Sequence, residues 1–242
     1  MLKWMANEAL LHSVPPEGYE GGLVIDEMSV QPDLQISKHN GTIELIGFTD
    51  VTPESIIMDK IKGRKREAIL ATHSLQLVFL GLTGFRFPFA HFPTCTASGN
   101  ELYLLLWKSV QMLSMFGFKI RYISTDGAQS NRDLMRILLP NFSSGSPTTC
   151  GFTNICTNEK EKIFFIMDNS HVFKKIRNNL SKSSNHRNSK RCLVMKGQEI
   201  LWDHFKNAFS WDISNNPLPV HYKLTQEHFV LTNENKMRNE LA

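Results

Sequence analysis

Three aspartates stand where a folded chain has to make use of a carboxylate. Asp26 interrupts the apolar run Gly22-Leu-Val-Ile-Asp-Glu-Met28, Asp126 directly follows Lys119-Ile-Arg-Tyr-Ile-Ser-Thr125, and Asp168 directly follows Lys162-Ile-Phe-Phe-Ile-Met167. A carboxylate in the middle of a buried strand is costly unless it is hydrogen-bonded, paired or bound to a cation. Asp26 therefore reads either as a metal ligand or as an acid satisfied by a neighbouring loop or lysine. Glu27, one residue on, points to the other face of a strand and reads as solvated or ion-paired. Asp126 lies just beyond the carboxyl end of a strand, where open α/β sheets collect their ligands, although Asp126-Gly127 is also ordinary turn chemistry. Asp168 is open to the same two readings and could equally cap a following helix. Taken together, acids in or at the ends of successive core strands are more telling than any one alone: the functional reading is a divalent-metal site with Asp26 and Asp126 as ligands and Asp168 as a candidate accessory acid, and the structural readings stay open beside it.

The elements that must position these acids follow from periodicity. After a Pro/Gly turn (Pro15, Pro16, Gly18, Gly21), residues 22–28 read as a buried strand with Val24, Asp26 and Met28 on one face. Asn40-Gly41 is a hairpin signal and Thr42 to Phe48 the returning strand. Ser74 to Leu80 is a third strand, reached through the charged connector Lys60 to Arg66. Leu102, Leu105, Leu106, Val110 and Leu113 recur at helical spacing behind the capping box Ser98-x-x-Glu101, and Gly117 ends that helix. A strand over 119–125, a short helix from about Asn131 to Pro140, a Ser/Gly/Pro linker over 141–149, a strand over 162–167 and a basic helix over 171–180 complete the order. The resulting β-β-β-α-β-α-β-α order is that of an α/β fold of RNase H-like type, a mixed sheet of three antiparallel strands followed by two parallel ones. In it the first and fourth strands are neighbours, which would bring Asp26 and Asp126 face to face as two-metal chemistry requires.

Composition narrows the classes. A chain of 242 residues that is 41% hydrophobic and 21% charged can bury a substantial core, and no stretch is low in complexity. No apolar run is long enough for a membrane span and the N-terminus has no signal-peptide order, so a soluble intracellular protein without membrane partners is expected. Cys95, Cys150, Cys156 and Cys192 include no Cys-x-x-Cys pair and read as free thiols. Net charge is +4, but His171 to Lys196 holds five lysines, three arginines and no acid, so the rest of the chain carries −4. That basic segment reads either as a phosphate-binding surface, with Lys174, Lys175 and Arg177 as its first contacts, or as a solvated face. Phe85, Phe87, Phe89 and Phe92 alternate in a way that could stack bases, but core packing explains the alternation more simply.

Several separated stretches resemble one family. Leu2-Lys-Trp-Met5, Gly21 to Ser29 with Asp33-Leu-Gln-Ile36, Ile46-Gly-Phe-Thr-Asp50, Thr125-Asp-Gly-Ala-Gln-Ser-Asn-Arg132 and Asp168 to Leu180 are similar, in order and spacing, to the P-element-type transposases and the THAP-domain proteins related to them. The resemblance implies a lead-in over 1–20, an RNase H-like catalytic domain over 21–168 and, over 169–242, the start of a mainly helical GTP-binding insertion that precedes the third catalytic acid, a Glu. Asp26 would match the first catalytic Asp, Asp126 the second, and Asp168 the junction with the insertion. The last residues, Lys236 to Ala242, resemble an early part of that insertion, so the sequence is expected to stop within it. Glu240 comes too early to be the third acid, and the chain alone is expected to be inactive. The zinc-binding DNA-recognition domain and coiled coil usual upstream in that family are expected to be absent. No Walker-type loop is present, and Asn235-Lys-Met-Arg238 lacks the Asp of a guanine-reading motif, so GTP is expected to bind only the full-length protein, if at all.

The family's implied function is DNA transposition in the nucleus, with a pair of Mg²⁺ ions serving phosphodiester cleavage and strand transfer on transposon and target DNA, carried out by a homo-oligomer. The alternative is a domesticated or truncated relative that binds DNA or protein without catalysis. A cellular RNase H-like nuclease is disfavoured, because its acids should all lie within one uninterrupted domain.

Overall fold

A computed structural model describes residues 1–39, 41–49, 61, 63, 69–95, 97–140, 150–157, 161–183 and 192–236. The connector 60–66 falls mostly, and the linker 141–149 wholly, outside these residues, as do Arg187, Lys190, Arg191 and Glu240. The chain divides into two compact units, Met1–Met167 and Asp168–Ala242.

The first unit is built on a six-stranded sheet. Its strands are β1 (Glu20–Ser29), β4 (His73–Gly81), β5 (Arg86–Thr94), β6 (Lys119–Thr125), β7 (Gly151–Thr153) and β8 (Lys162–Met167), in the order β5-β4-β1-β6-β8-β7. The pairs β1·β4 and β4·β5 are antiparallel, while β1·β6 and β6·β8 are parallel. Three antiparallel strands followed by two parallel ones is the expected mixed sheet, and the first and fourth expected strands are adjacent.

Membership of the antiparallel half differs from the expectation. Thr42–Ile46 (β3) is a strand, but it pairs only with Gln35–His39 (β2) in a separate two-stranded sheet. The third core strand is β5, whose Pro88 and Pro93 remove ladder donors; it lies at the sheet edge, where proline is tolerated.

One face of the sheet is dry. Leu23, Ile25, Leu75, Leu77, Phe79, Ile123 and Phe165 are buried there, joined by Phe87 and Phe89 from β5, so the alternating phenylalanines are core residues. Two helices are attached to this core. Helix α2 (Gly99–Met115) starts at Ser98, which accepts the Glu101 N–H while Glu101 accepts from the Ser98 N–H, the reciprocal cap read from the sequence. Its Leu102, Leu106, Val110 and Leu113 are buried at the spacing of one helical stripe. Helix α3 (Gln129–Leu138) lies against α2 at Gly99, where an added Cβ would stand 2.8 Å from that of Asp133. The lead-in is itself structured: α1 (Leu2–Leu11) buries Leu2, Met5 and Ala9, and Trp4 meets Phe87 edge-on at 5.2 Å.

The second unit contains α4 (Asn169–Leu180), the hairpin β9 (Leu193–Met195) and β10 (Gln198–Ile200), α5 (Trp202–Asn215) and the single turn α6 (Gln226–Phe229). Trp202 and Phe209 pack against Phe229 at 5.7 and 4.6 Å between ring centroids. Asp212, buried on α5, anchors the following loop by accepting from the backbone N–H groups of Val220 and His221. Among the described residues no helix is long and apolar enough to cross a membrane.

Candidate metal centre

The relation between Asp26 and Asp126 depends on an irregularity at the start of β1. Along the parallel pair, Gly21 stands opposite Ile120, but Gly22 stands opposite Tyr122, so Arg121 is one extra residue on β6. Beyond this bulge the register runs Leu23–Ile123, Val24–Ser124, Ile25–Thr125. Asp126 follows Thr125 just beyond the end of β6, so this register, continued by one step, points Asp26 toward it. Because side chains alternate at every residue, an unbulged pairing with Arg121 opposite Gly22 would align Asp26 with Thr125 instead. The two glycines permit the close approach: a Cβ on Gly21 would lie 2.2 Å from the Leu80 carbonyl oxygen, and one on Gly22 2.1 Å from the Tyr122 ring. Arg121, the bulged residue, is tied on both sides, its Nε donating to Glu20 at 2.8 Å and its Nη1 to Glu161 at 3.0 Å. These bonds, with Glu20 the main cause, hold the guanidinium pKa above its usual value.

Both aspartates line one cavity of about 150 Å³ at the carboxyl ends of β1 and β6. Glu27 and His73 line it too, with Ser130 and Asn131 from the first turn of α3, and no lysine or arginine is among the described lining residues. The cavity thus gathers three carboxylate residues, hard oxygen donors of the kind a divalent cation takes.

Asp26 is exposed, contrary to the burial inferred from its apolar neighbours, because it projects from the less covered face of the sheet beside the exposed Gln76. Its Oδ1 accepts the Glu27 N–H at 2.9 Å. Asp126 is half-buried, and its Oδ1 accepts both the Ala128 N–H at 2.8 Å and the Asn131 Nδ2 at 2.6 Å. Turn chemistry and site geometry thus coexist at Asp126 rather than excluding each other. Glu27, read from sequence as solvated or ion-paired, is half-buried and accepts a short hydrogen bond from Thr94 Oγ1. Strand alternation alone could not place it near the acids, since the cavity wraps around the strand ends. Asn131 was visible only as a polar residue in a short helix.

Asp168 belongs to the second unit and caps α4. Its Oδ1 accepts from the Ser170 N–H at 2.9 Å and the Ser170 hydroxyl at 2.6 Å, and its Oδ2 pairs with His171 Nδ1 at 2.6 Å. The bonds from Ser170, followed by that from His171, hold its carboxyl at about 2. The capping reading of Asp168 is the one the geometry displays. The three basic candidates on α4 are not one exposed surface: Lys174 and Arg177 are only 8% and 9% exposed, and Lys175 alone is open. Arg177 Nη2 donates to the carbonyls of Asn235 and Lys236, and burial lowers its pKa.

Could the acids hold a metal? Among the described residues no group of three or more His, Cys, Asp or Glu is arranged to do so. Mg²⁺, however, is commonly held by one or two carboxylates, with water and phosphate oxygens supplying the rest. Asp26 and Asp126, hard oxygen donors in a cation-poor cavity, fit that habit.

The TNP-like, RNase H N-terminal domain family model matches residues 8–139, more than half of the chain. No curated protein matches the sequence. Among solved structures, the Drosophila P element transposase strand transfer complex superposes with a TM-score of 0.62 at 18% identity, over 93% of this chain and 42% of that one, so the chain spans less than half of the protein it resembles in fold. This chain belongs to the TNP-like RNase H N-terminal domain family.

Proposed function

We propose that Asp26 and Asp126 are two of the metal-binding carboxylates of a P-element-type DNA transposase, acting in Mg²⁺-dependent phosphodiester cleavage and strand transfer on transposon and target DNA in the nucleus. The observation that supports this best is that Asp26, on β1, and Asp126, just beyond the end of the parallel neighbour β6, line one cation-poor cavity.

A divalent metal held by such carboxylates supplies Lewis-acid stabilisation of the oxygens that attack and leave phosphorus. The chain's own contribution is geometric and electrostatic. Asp26 offers an exposed carboxylate from a rigid central strand, and Asp126 offers one oriented by the first turn of α3. Placement on strand ends rather than on free loops limits the reorganisation needed when phosphate arrives.

The test is a Mn²⁺ titration of the 242-residue chain followed by electron paramagnetic resonance. Binding should weaken at least about tenfold in Asp26→Asn and in Asp126→Asn, as expected for loss of a ligand. Equal affinity in wild type and both variants sinks the proposal. DNA cleavage by the full-length protein should vanish with either substitution.

A further inference from the structure

We infer that Asn131 is a positioning residue that fixes which oxygen of Asp126 is offered to a divalent cation; this rests on reading Asp126 as a metal ligand. Asn131 is a polar side chain at only 8% exposure in the first turn of α3, and its Nδ2 donates to Asp126 Oδ1 at 2.6 Å. The Ala128 N–H donates to the same oxygen at 2.8 Å. Among the described residues, no donor reaches Oδ2. Two donors converging on one carboxylate oxygen turn it toward the helix and leave the other as the lone-pair face for a metal.

A purely structural role would need only one of these bonds. The Ala128 N–H already meets the turn requirement at the start of α3, and that helix has no side-chain cap of its own. The second donor adds an angular constraint, since a carboxylate held by one bond can rotate about it and one held by two N–H groups in different directions cannot.

The experiment compares Mn²⁺ affinity, by the same titration, in wild type, Asp126→Asn, Asn131→Ala, Asn131→Leu and Gln129→Ala. Asn131→Leu keeps the branched shape at a buried position while removing the donor. Gln129 lies in the same helical turn but bonds Asp133 and Arg132, away from Asp126. Circular dichroism of each variant establishes that it is folded. The expected result is a loss of about tenfold or more for both Asn131 variants, with Gln129→Ala unchanged. Wild-type affinity in folded Asn131→Leu overturns the positioning role and leaves the Asp126 reading intact. A loss in Gln129→Ala equal to that in the Asn131 variants also overturns it, since any weakening of the helix would then suffice. If Asp126→Asn binds as wild type does, the metal-ligand reading fails and this inference with it. A readout in the unsubstituted protein does not depend on any variant folding: the Asn131 side-chain amide resonances should shift when Mg²⁺ is added, and their constancy at saturating Mg²⁺ counts against the role.

Discussion

Replacing Gly21 or Gly22 by alanine should have unequal consequences, although the residues are adjacent on one strand. At Gly21 the new Cβ would meet backbone: the Leu80 carbonyl oxygen at 2.2 Å, the Gly81 Cα at 2.7 Å and the Leu80 carbonyl carbon at 2.8 Å. Normal contact lies near 3.5 Å, so β4 would have to withdraw by about 1 Å, straining ladder hydrogen bonds worth about 1 kcal/mol each. With overpacking added, the cost should reach about 3 kcal/mol or more, a large part of a domain's usual margin of about 5–15 kcal/mol. At Gly22 the obstacle is the Tyr122 ring, at 2.1, 2.2 and 2.5 Å from the new Cβ. A half-buried ring can swing aside, so about 1–2 kcal/mol is expected, the lower part of the range for overpacking. Urea denaturation of both variants, each with and without Tyr122→Ala, measures the difference. Tyr122→Ala should recover most of the loss in Gly22→Ala and none in Gly21→Ala, a coupling of about 1 kcal/mol at the first site only. Equal rescue at both sites, or a Gly21→Ala variant as stable as wild type, refutes the account of how β1 approaches its two neighbours. A second readout ties the bulge to the acids: Gly22→Ala should weaken Mn²⁺ binding beyond any effect of global stability, because it disturbs the register that aligns Asp26 with Asp126.

Other expectations concern separate parts of the molecule. Asp26→Asn should change the unfolding free energy by less than about 0.5 kcal/mol, since the carboxylate is exposed and, among the described residues, bonds only the adjacent N–H; a large loss in urea titration would mean that Asp26 is structural. Asp168→Ala should destabilise the second unit by about 1 kcal/mol through loss of the α4 cap, less than the full shift to about 2 implies because the carboxylate is 39% exposed. The lowered folded value sets the sign: this stabilisation is complete above the ordinary carboxyl value of 3.8 and is lost as pH falls toward about 2, so helical circular dichroism of wild type and variant should converge over that interval. Phe89→Ala should cost about 3–5 kcal/mol as a core truncation and leave DNA affinity of the folded fraction unchanged, whereas base stacking would predict the reverse. If α4 meets DNA, Lys175→Ala should reduce the salt dependence of binding by about one charge, and a slope change confined to Lys174→Ala would contradict the burial of Lys174.

What was legible in the sequence was whatever a local pattern determines. Alternation with a buried face revealed β1, β6 and β8, and Ser98 with Glu101 revealed the start of α2, because each signal lies within one element. Pairing is not local. Thr42–Ile46 has strand composition, and the hairpin signal before it names the preceding segment as its partner, yet nothing in it says that this hairpin stands apart from the core sheet. The prolines of β5 argue against a strand unless it is known to lie at an edge, which is a property of the assembled sheet. The position of Asp26 between apolar residues suggested burial, but only the arrangement of the two faces shows that its side is the open one. The basic helix misled in a related way: Phe173 and Ile176 are exposed while Lys174 and Arg177 are buried, the inverse of ordinary amphipathicity, and composition gives no warning of it. The bulge that aligns the acids is written as nothing more than Gly21-Gly22 and an arginine a hundred positions downstream.

That separation bears on how the protein is made. Joining β1 to β6 closes a loop of about 100 residues, an entropic cost of about 4 kcal/mol that no contact within the hairpin-like β1·β4·β5 half repays. At synthesis rates of about 5–20 residues per second, β1 waits roughly 5–20 s for its parallel partner to emerge, with one edge already satisfied by β4 and the other bare. A bare strand edge is a template for aggregation, and inward or terminal charges are a common defence. Asp26 and Glu27 place two carboxylates toward the end of that waiting edge, so replacing both by apolar residues is expected to make the unfinished sheet more prone to recruit a strand from another chain.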